Sequence, residues 1–261
     1  MTRLSDLLAR CATSGGSAVL AEVGDDWMQG RSVFGGLQAA VALAAMRSVV
    51  PDVALRTFQM TFVAPVGADA LRAQARVLRT GKSATHVEAR LETGGETLAL
   101  AVGVFGTGRP SIVRQDLPTP APLRATAKLP FVPGIVPNFI QHFDVGLLDG
   151  GLPFSNSRVD HTYYELGLRD TGPVSEAHLL AIADFVPPVA LSWMPAVVPG
   201  SSLTWMLEML DDDFAAQPLQ GWRADATMSA ARDGYTSQTT TIYAPDGRAI
   251  ALSRQSMVVF A

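Results

Sequence analysis

The sequence predicts an α+β fold in which two tandem antiparallel sheets each wrap around a long apolar helix. Three observations carry that prediction. Each half of the chain holds one almost wholly apolar helical stretch followed by four strand-like runs, glycine turns recur at a near-constant offset between the halves, and a proline-rich segment separates them. At 261 residues the chain suits one large domain or two small ones, and 48% hydrophobic against 17% charged residues excludes intrinsic disorder.

The N-terminal unit is expected over residues 1–109. Its opening residues, Met1 to Leu8, are too polar for a secretory leader, and the longest apolar stretch, residues 37–46, falls short of the roughly 20 residues of a membrane span. Gly35 and Gly36 open a segment of Ala, Leu, Val and Met at 37–50 that fits a helix buried on most sides, and Pro51 ends it. Residues 55–63 alternate with period two, and further strand-like runs follow at 69–78, 83–92 and 96–105, with turns at Gly81 and at Gly94-Gly95.

Residues 110–137 read as a linker. Seven of the 17 prolines fall there, at 110, 118, 120, 122, 130, 133 and 137, a density incompatible with a helix interior or a central strand. The C-terminal unit is then 138–261. Its leading strands are expected within 138–170, around Asp160-His161-Thr162-Tyr163-Tyr164. Ser175 suits an N-cap for the apolar segment 177–185, which stops before Pro187-Pro188. Strands follow at 202–209, 222–230, 237–243 and 249–260, with Asp233-Gly234 and Asp246-Gly247 at the turns. Gly234 minus Gly81 is 153 and Gly247 minus Gly95 is 152, which argues for a tandem duplication.

Several chemistries are excluded. Twenty Lys+Arg against 24 Asp+Glu give a net charge of −4 with no basic run, so nucleic acid is not an expected partner. One cysteine, Cys11, permits no internal disulfide and points to a reducing, cytoplasmic setting, where Cys11 itself is expected to be inert. The four histidines are dispersed and no paired-ligand spacing exists, so no metal is expected. Gly81-Lys82-Ser83 lacks the upstream glycine of a phosphate loop, position 76 being Arg76. Gly200-Ser201-Ser202-Leu203 departs at once from a nucleophile elbow.

Four places retain functional interest. On a helix starting near Ser175, positions 177, 180, 181 and 184 share a face, so Asp184 projects inward in the last turn. Burial and the negative helix end would both raise its pKa. The alternative is that the helix ends early and Asp184 is a solvated or turn-capping residue. Ser202 and Thr204 share one face of the next strand, toward either a site or solvent. Gln255 is an amide in a largely apolar final strand, where it either orients a water or is simply exposed. Gly35-Gly36 would let a ligand approach free backbone N–H groups, or would allow close helix packing.

Residues 27–40 (Trp-Met-Gln-Gly-Arg-Ser-Val-Phe-Gly-Gly-Leu-Gln-Ala-Ala), 58–65, 181–185, 201–204 and 254–256, in that order and spacing, resemble the acyl-CoA thioesterase II family of double hotdog proteins over nearly the whole chain. The resemblance implies that Asp184, Ser202 and Gln255 jointly hold and activate a water that attacks an acyl-CoA thioester. Backbone N–H groups at Gly35 and Gly36 would stabilise the oxyanion, Thr204 is a secondary candidate, and no cofactor is implied. It also implies a possible homodimer. The family often has His-Gly-Gly where this chain has Phe34-Gly35-Gly36, so a role for that histidine is absent here. A noncatalytic acyl-CoA binding protein and a hotdog hydratase or dehydratase are the competing functions on the same architecture.

Overall fold

The computed structural model describes residues 1–121 and 123–260; Pro122, one of the linker prolines, lies outside the described residues. The chain begins with α1 (Leu4–Ala9), β1 (Ala12–Ser14), β2 (Ser17–Leu20) and a small hairpin of β3 (Met28–Gln29) and β4 (Ser32–Val33). Next come α2 (Gly35–Arg47), β5 (Leu55–Phe62), β6 (Leu71–Thr80), β7 (Thr85–Thr93) and β8 (Glu96–Phe105). After the proline-rich stretch follow β9 (Ala127–Leu129), β10 (Phe143–Gly150), β11 (His161–Leu168) and α3 (Glu176–Ala183). The meander β12 (Gly200–Met209), β13 (Trp222–Arg232), β14 (Tyr235–Tyr243) and β15 (Ala249–Val259) completes the chain.

Apart from the β3–β4 hairpin, the strands form one sheet of 13 strands in the order β1-β2-β6-β7-β8-β5-β12-β15-β14-β13-β11-β10-β9. The halves join at its centre, where β5 pairs antiparallel with β12 from Thr61 opposite Thr204 to Thr57 opposite Glu208. The order is palindromic about that seam: β5, β8, β7, β6, β2 and β1 on one side correspond to β12, β15, β14, β13, β11 and β10 on the other.

Each sheet half curls over its helix because its inner face alternates with solvent-facing polar residues. In the first half Leu71, Ala73, Ala75, Val87, Ala89, Leu91, Ala99 and Ala101 are buried while Arg72, Gln74 and Arg90 point outward. Helix α2 is apolar on every side and buried along nearly its whole length, as expected of a helix enclosed by a sheet and a second helix. Helix α3 has only 8 residues, so the expectation of a long helix holds for the first half alone. Its start is an Ser175 N-cap, with the His178 ring accepting back from the Ser175 N–H.

One further expectation needs correcting. The proline-rich stretch is not uniformly a linker, because Ala127–Leu129 pairs with Leu147–Val145 as the sheet's outermost strand, an edge position that proline-flanked chain tolerates. The N-terminal residues, read from the sequence only as too polar for a secretory leader, form the helix α1, whose Leu4 and Leu7 are buried and whose Ser5 N–H donates to Asp170 of the second half at 2.9 Å.

Candidate active site

Helices α2 and α3 pack antiparallel, so the start of α2 meets the end of α3. Two glycines permit this approach. A Cβ on Gly36 would stand 2.8 Å from the Ala181 Cα, and one on Gly35 would stand 2.6 Å from Asp184 Oδ2. Gly36 therefore serves helix contact, while Gly35 leaves the space that the Asp184 carboxyl occupies. Asp184 is the C-cap of α3, its N–H bonded to Leu180 O at 3.1 Å, and its side chain points into the junction while keeping some solvent exposure.

The carboxyl's partners come from both halves. Gln255 Nε2 donates to Asp184 Oδ1 at 2.8 Å, and Gln255 itself is 4% exposed on the inner face of β15. The Gly36 N–H, at the start of α2, also favours the carboxyl's charged form. The Gly35 N–H has no acceptor among the described residues. Burial outweighs the two donors and pushes the Asp184 pKa up to about 7; no charged side chain contributes to the shift. A carboxyl titrating near neutrality is matched to general-base work at physiological pH.

A β-bulge decides the fate of Ser202 and Thr204. Strand β12 pairs with β15 as Ser202 opposite Met257 and then Thr204 opposite Ser256, leaving Leu203 as the extra residue. Cross-strand partners share a face, and Met257, like Gln255, is buried on the inner one. Ser202 thus faces the same side as Gln255, whereas Thr204 is exposed on the outer face. The two do not share a face as the plain period of two predicts. No direct hydrogen bond joins Ser202 to Asp184 among the described residues.

Phe34, where the sequence resemblance implies a histidine, is fully buried and stacks on Phe139 at a ring separation of 4.0 Å. Phe139 in turn meets Phe185, so the residue before Gly35 and the residue after Asp184 enter one aromatic cluster that ties the halves together beneath the site. Sequence reasoning missed Gln238, a buried amide on β14 directly opposite Gln255. The available signal was a strand, Thr236-Ser237-Gln238-Thr239-Thr240, that is polar on both faces although it lies inside the sheet.

The opposite junction, where α2 ends and α3 begins, carries different chemistry. Arg47 engages the Glu176 carboxylate through two nitrogens, with Nε to Oε2 at 2.9 Å, and also donates to Val53 O at 2.6 Å. Beside it, His178 Nε2 lies 3.3 Å from Asp170 Oδ2 and 3.1 Å from Ser5 Oγ, with Nδ1 taken by Ser175. That aspartate and histidine are closed off by the N-cap and by α1, an arrangement that latches elements rather than one that receives a substrate.

Two hollows lie elsewhere: a dimple too small to admit a water molecule, walled by Gly151, Tyr164, Pro187 and Ser192, and a groove of about 700 Å³ at the sheet edge beside Lys128, Asp144 and Arg169. Neither includes Asp184. Among the described residues no group of His, Cys, Asp and Glu could hold a metal ion, and no helix is long and apolar enough to cross a membrane.

Solved structures share this architecture from end to end. A hot dog fold protein from Alicyclobacillus acidocaldarius matches with a TM-score of 0.82 at 23% identity, covering 100% of this chain and 99% of its own. The tesB protein of Mycobacterium avium subspecies paratuberculosis matches at 0.78 and 12% identity, with both chains covered in full. An acyl-CoA thioesterase II from Mycobacterium marinum matches at 0.68 and 16%, covering 94% of this chain and 93% of its own. At such identities the likeness concerns the fold, a double hot dog. No curated protein matches the chain by sequence. Family models do: the acyl-CoA thioesterase N-terminal domain matches residues 23–106 and the acyl-CoA thioesterase C-terminal domain residues 115–259, and on that match the chain belongs to the acyl-CoA thioesterase family.

Proposed function

We propose that the protein hydrolyses acyl-CoA thioesters to the free acid and CoA by direct attack of a water activated by Asp184. The observation that carries this reading is the Asp184 carboxyl itself. It is buried enough to titrate near pH 7, is held by the Gln255 amide at 2.8 Å, and is set against the open N-terminus of α2. A water bound between Asp184, Gln255 and Ser202 would lose its proton to the Asp184 carboxylate as its oxygen bonds to the thioester carbon. The developing oxyanion needs donors at the start of α2. The Gly35 N–H is open to it, and the Gly36 N–H is released as Asp184 becomes neutral. Collapse of the tetrahedral intermediate breaks the C–S bond, and the departing thiolate takes the proton back from Asp184. No acyl-enzyme forms.

Thiol release from a panel of acyl-CoA substrates of increasing chain length, measured for wild type and Asp184→Asn, tests the reading. Hydrolysis by wild type that collapses in the variant supports it. Tight binding of acyl-CoA with no thiol release by wild type would replace it with a binding protein. In the active case kcat/KM rises with pH through about 7 as Asp184 ionises, because the base must be charged to accept the proton.

A further inference from the structure

We propose that Gln238 is a positioning residue for Asp184: its buried amide fixes the chain that leaves α3 and so holds the carboxyl against Gln255. The inference rests on the hydrolytic reading of Asp184 given above.

Gln238 is 1% exposed and lies directly opposite Gln255 in the β14–β15 pair. Residues so paired place their Cβ atoms about 5 Å apart, so the two amides stand side by side. They hold different things. Gln255 donates to Asp184 Oδ1, whereas Gln238 Oε1 accepts the Val189 N–H at 2.9 Å and its Nε2 donates weakly to Pro187 O at 3.5 Å. Pro187 and Pro188 carry no N–H, so Val189 offers the first backbone donor after Val186. Gln238 takes that donor five residues beyond Asp184.

Such a tether is needed because α3 is only 8 residues long, two turns that cannot fix their own end without tertiary contacts. Upstream, Asp184 is held by its N–H on Leu180; downstream, Phe185 sits in the aromatic cluster and Gln238 grips the next backbone groups. A glutamine in this place carries a desolvation cost unless its amide is bonded. The fold does not demand a polar residue there. The corresponding inner face of β7 is Val87, Ala89 and Leu91, wholly apolar.

Two substitutions test the tether from its two ends. Gln238→Met keeps the volume and removes both hydrogen bonds. Val189→Pro removes the donor at the first residue of the 3-10 turn Val189–Trp193, a position where the missing N–H and fixed φ of proline are tolerated. For each variant and the double variant, acyl-CoA hydrolysis is measured together with the Asp184 titration followed by carboxyl 13C NMR. The expected result is a kcat lower by about 10- to 100-fold with KM within about threefold. The Asp184 midpoint should fall toward that of an ordinary aspartate as water reaches it, and the double variant should be no worse than the poorer single one. Folded Gln238→Met protein with wild-type kcat and wild-type midpoint would overturn the proposal. If that variant does not fold, unchanged values in Val189→Pro overturn it equally. Should wild type cleave no thioester, the hydrolytic reading fails, and the NMR midpoints alone decide whether Gln238 positions the carboxyl.

Discussion

The two ends of the α2–α3 pair set the same elements to opposite uses. Where α2 ends and α3 begins, Arg47 lies in the last turn of one helix and Glu176 in the first turn of the other, each where the helix dipole favours its charge. The pair neutralises itself and Arg47 also binds trailing carbonyls of α2. Where α3 ends and α2 begins, a single carboxyl sits without a cation, and burial holds it near half-ionisation at neutral pH. The sheets follow suit: the inner face under the first helix is apolar, while that under the second carries Thr236, Gln238, Thr240, Ser253 and Gln255. A satisfied ion pair contributes stability and no reactivity; a buried carboxyl without a cation costs stability and, on the proposed function, supplies reactivity.

Four substitutions sharpen that contrast. The largest effect is expected from Asp184→Asn, with kcat reduced about 10³-fold in steady-state thioester hydrolysis. The same change should stabilise the fold. An aspartate whose folded pKa is raised contributes stability that is full below its unfolded pKa, near 4, and is lost as pH rises through about 7. Denaturant unfolding should therefore show the variant more stable by about 2 kcal/mol at pH 8, with the advantage gone below pH 4. Gly35→Ala comes next: its Cβ would enter the space of Asp184 Oδ2, so kcat should fall about 100-fold while the melting temperature moves little. Arg47→Met reverses the pattern, lowering unfolding free energy by about 2 kcal/mol by stranding Glu176, with kcat within about twofold of wild type. Thr204→Ala, on the outer face, should leave both activity and stability within about 0.5 kcal/mol of wild type.

Much of the architecture was legible because it is written in local signals. Turn glycines at 81, 95, 234 and 247 mark chain reversals that any antiparallel meander needs, and the offset between them exposes the repeat. Asp184 could be placed inward because helical spacing puts it with Ala177, Leu180 and Ala181. What escaped depends on long-range geometry. The bulge at Leu203, which turns Ser202 and Thr204 to opposite faces, arises from pairing with β15 and has no glycine or proline to announce it. Helix α1 is too short to show a period and is stabilised by contact with the second half of the chain. Strand β9 is three residues of edge pairing within a proline-rich stretch. Gln238 carries no motif, and its importance lies in two backbone groups fifty residues away.

The Arg47–Glu176 pair also bears on the number of sites that the proposed function allows each chain. A chain built from two similar halves could present two equivalent sites and show cooperativity within itself. Here the second junction is filled by an ion pair, so of the two helix junctions among the described residues only the one at Asp184 holds a carboxyl without a cation. Under the proposed hydrolysis at Asp184, substrate saturation of an isolated chain is expected to be hyperbolic, with a Hill coefficient of one and one equivalent of ligand bound at saturation. Any sigmoidal response must originate in contacts between chains.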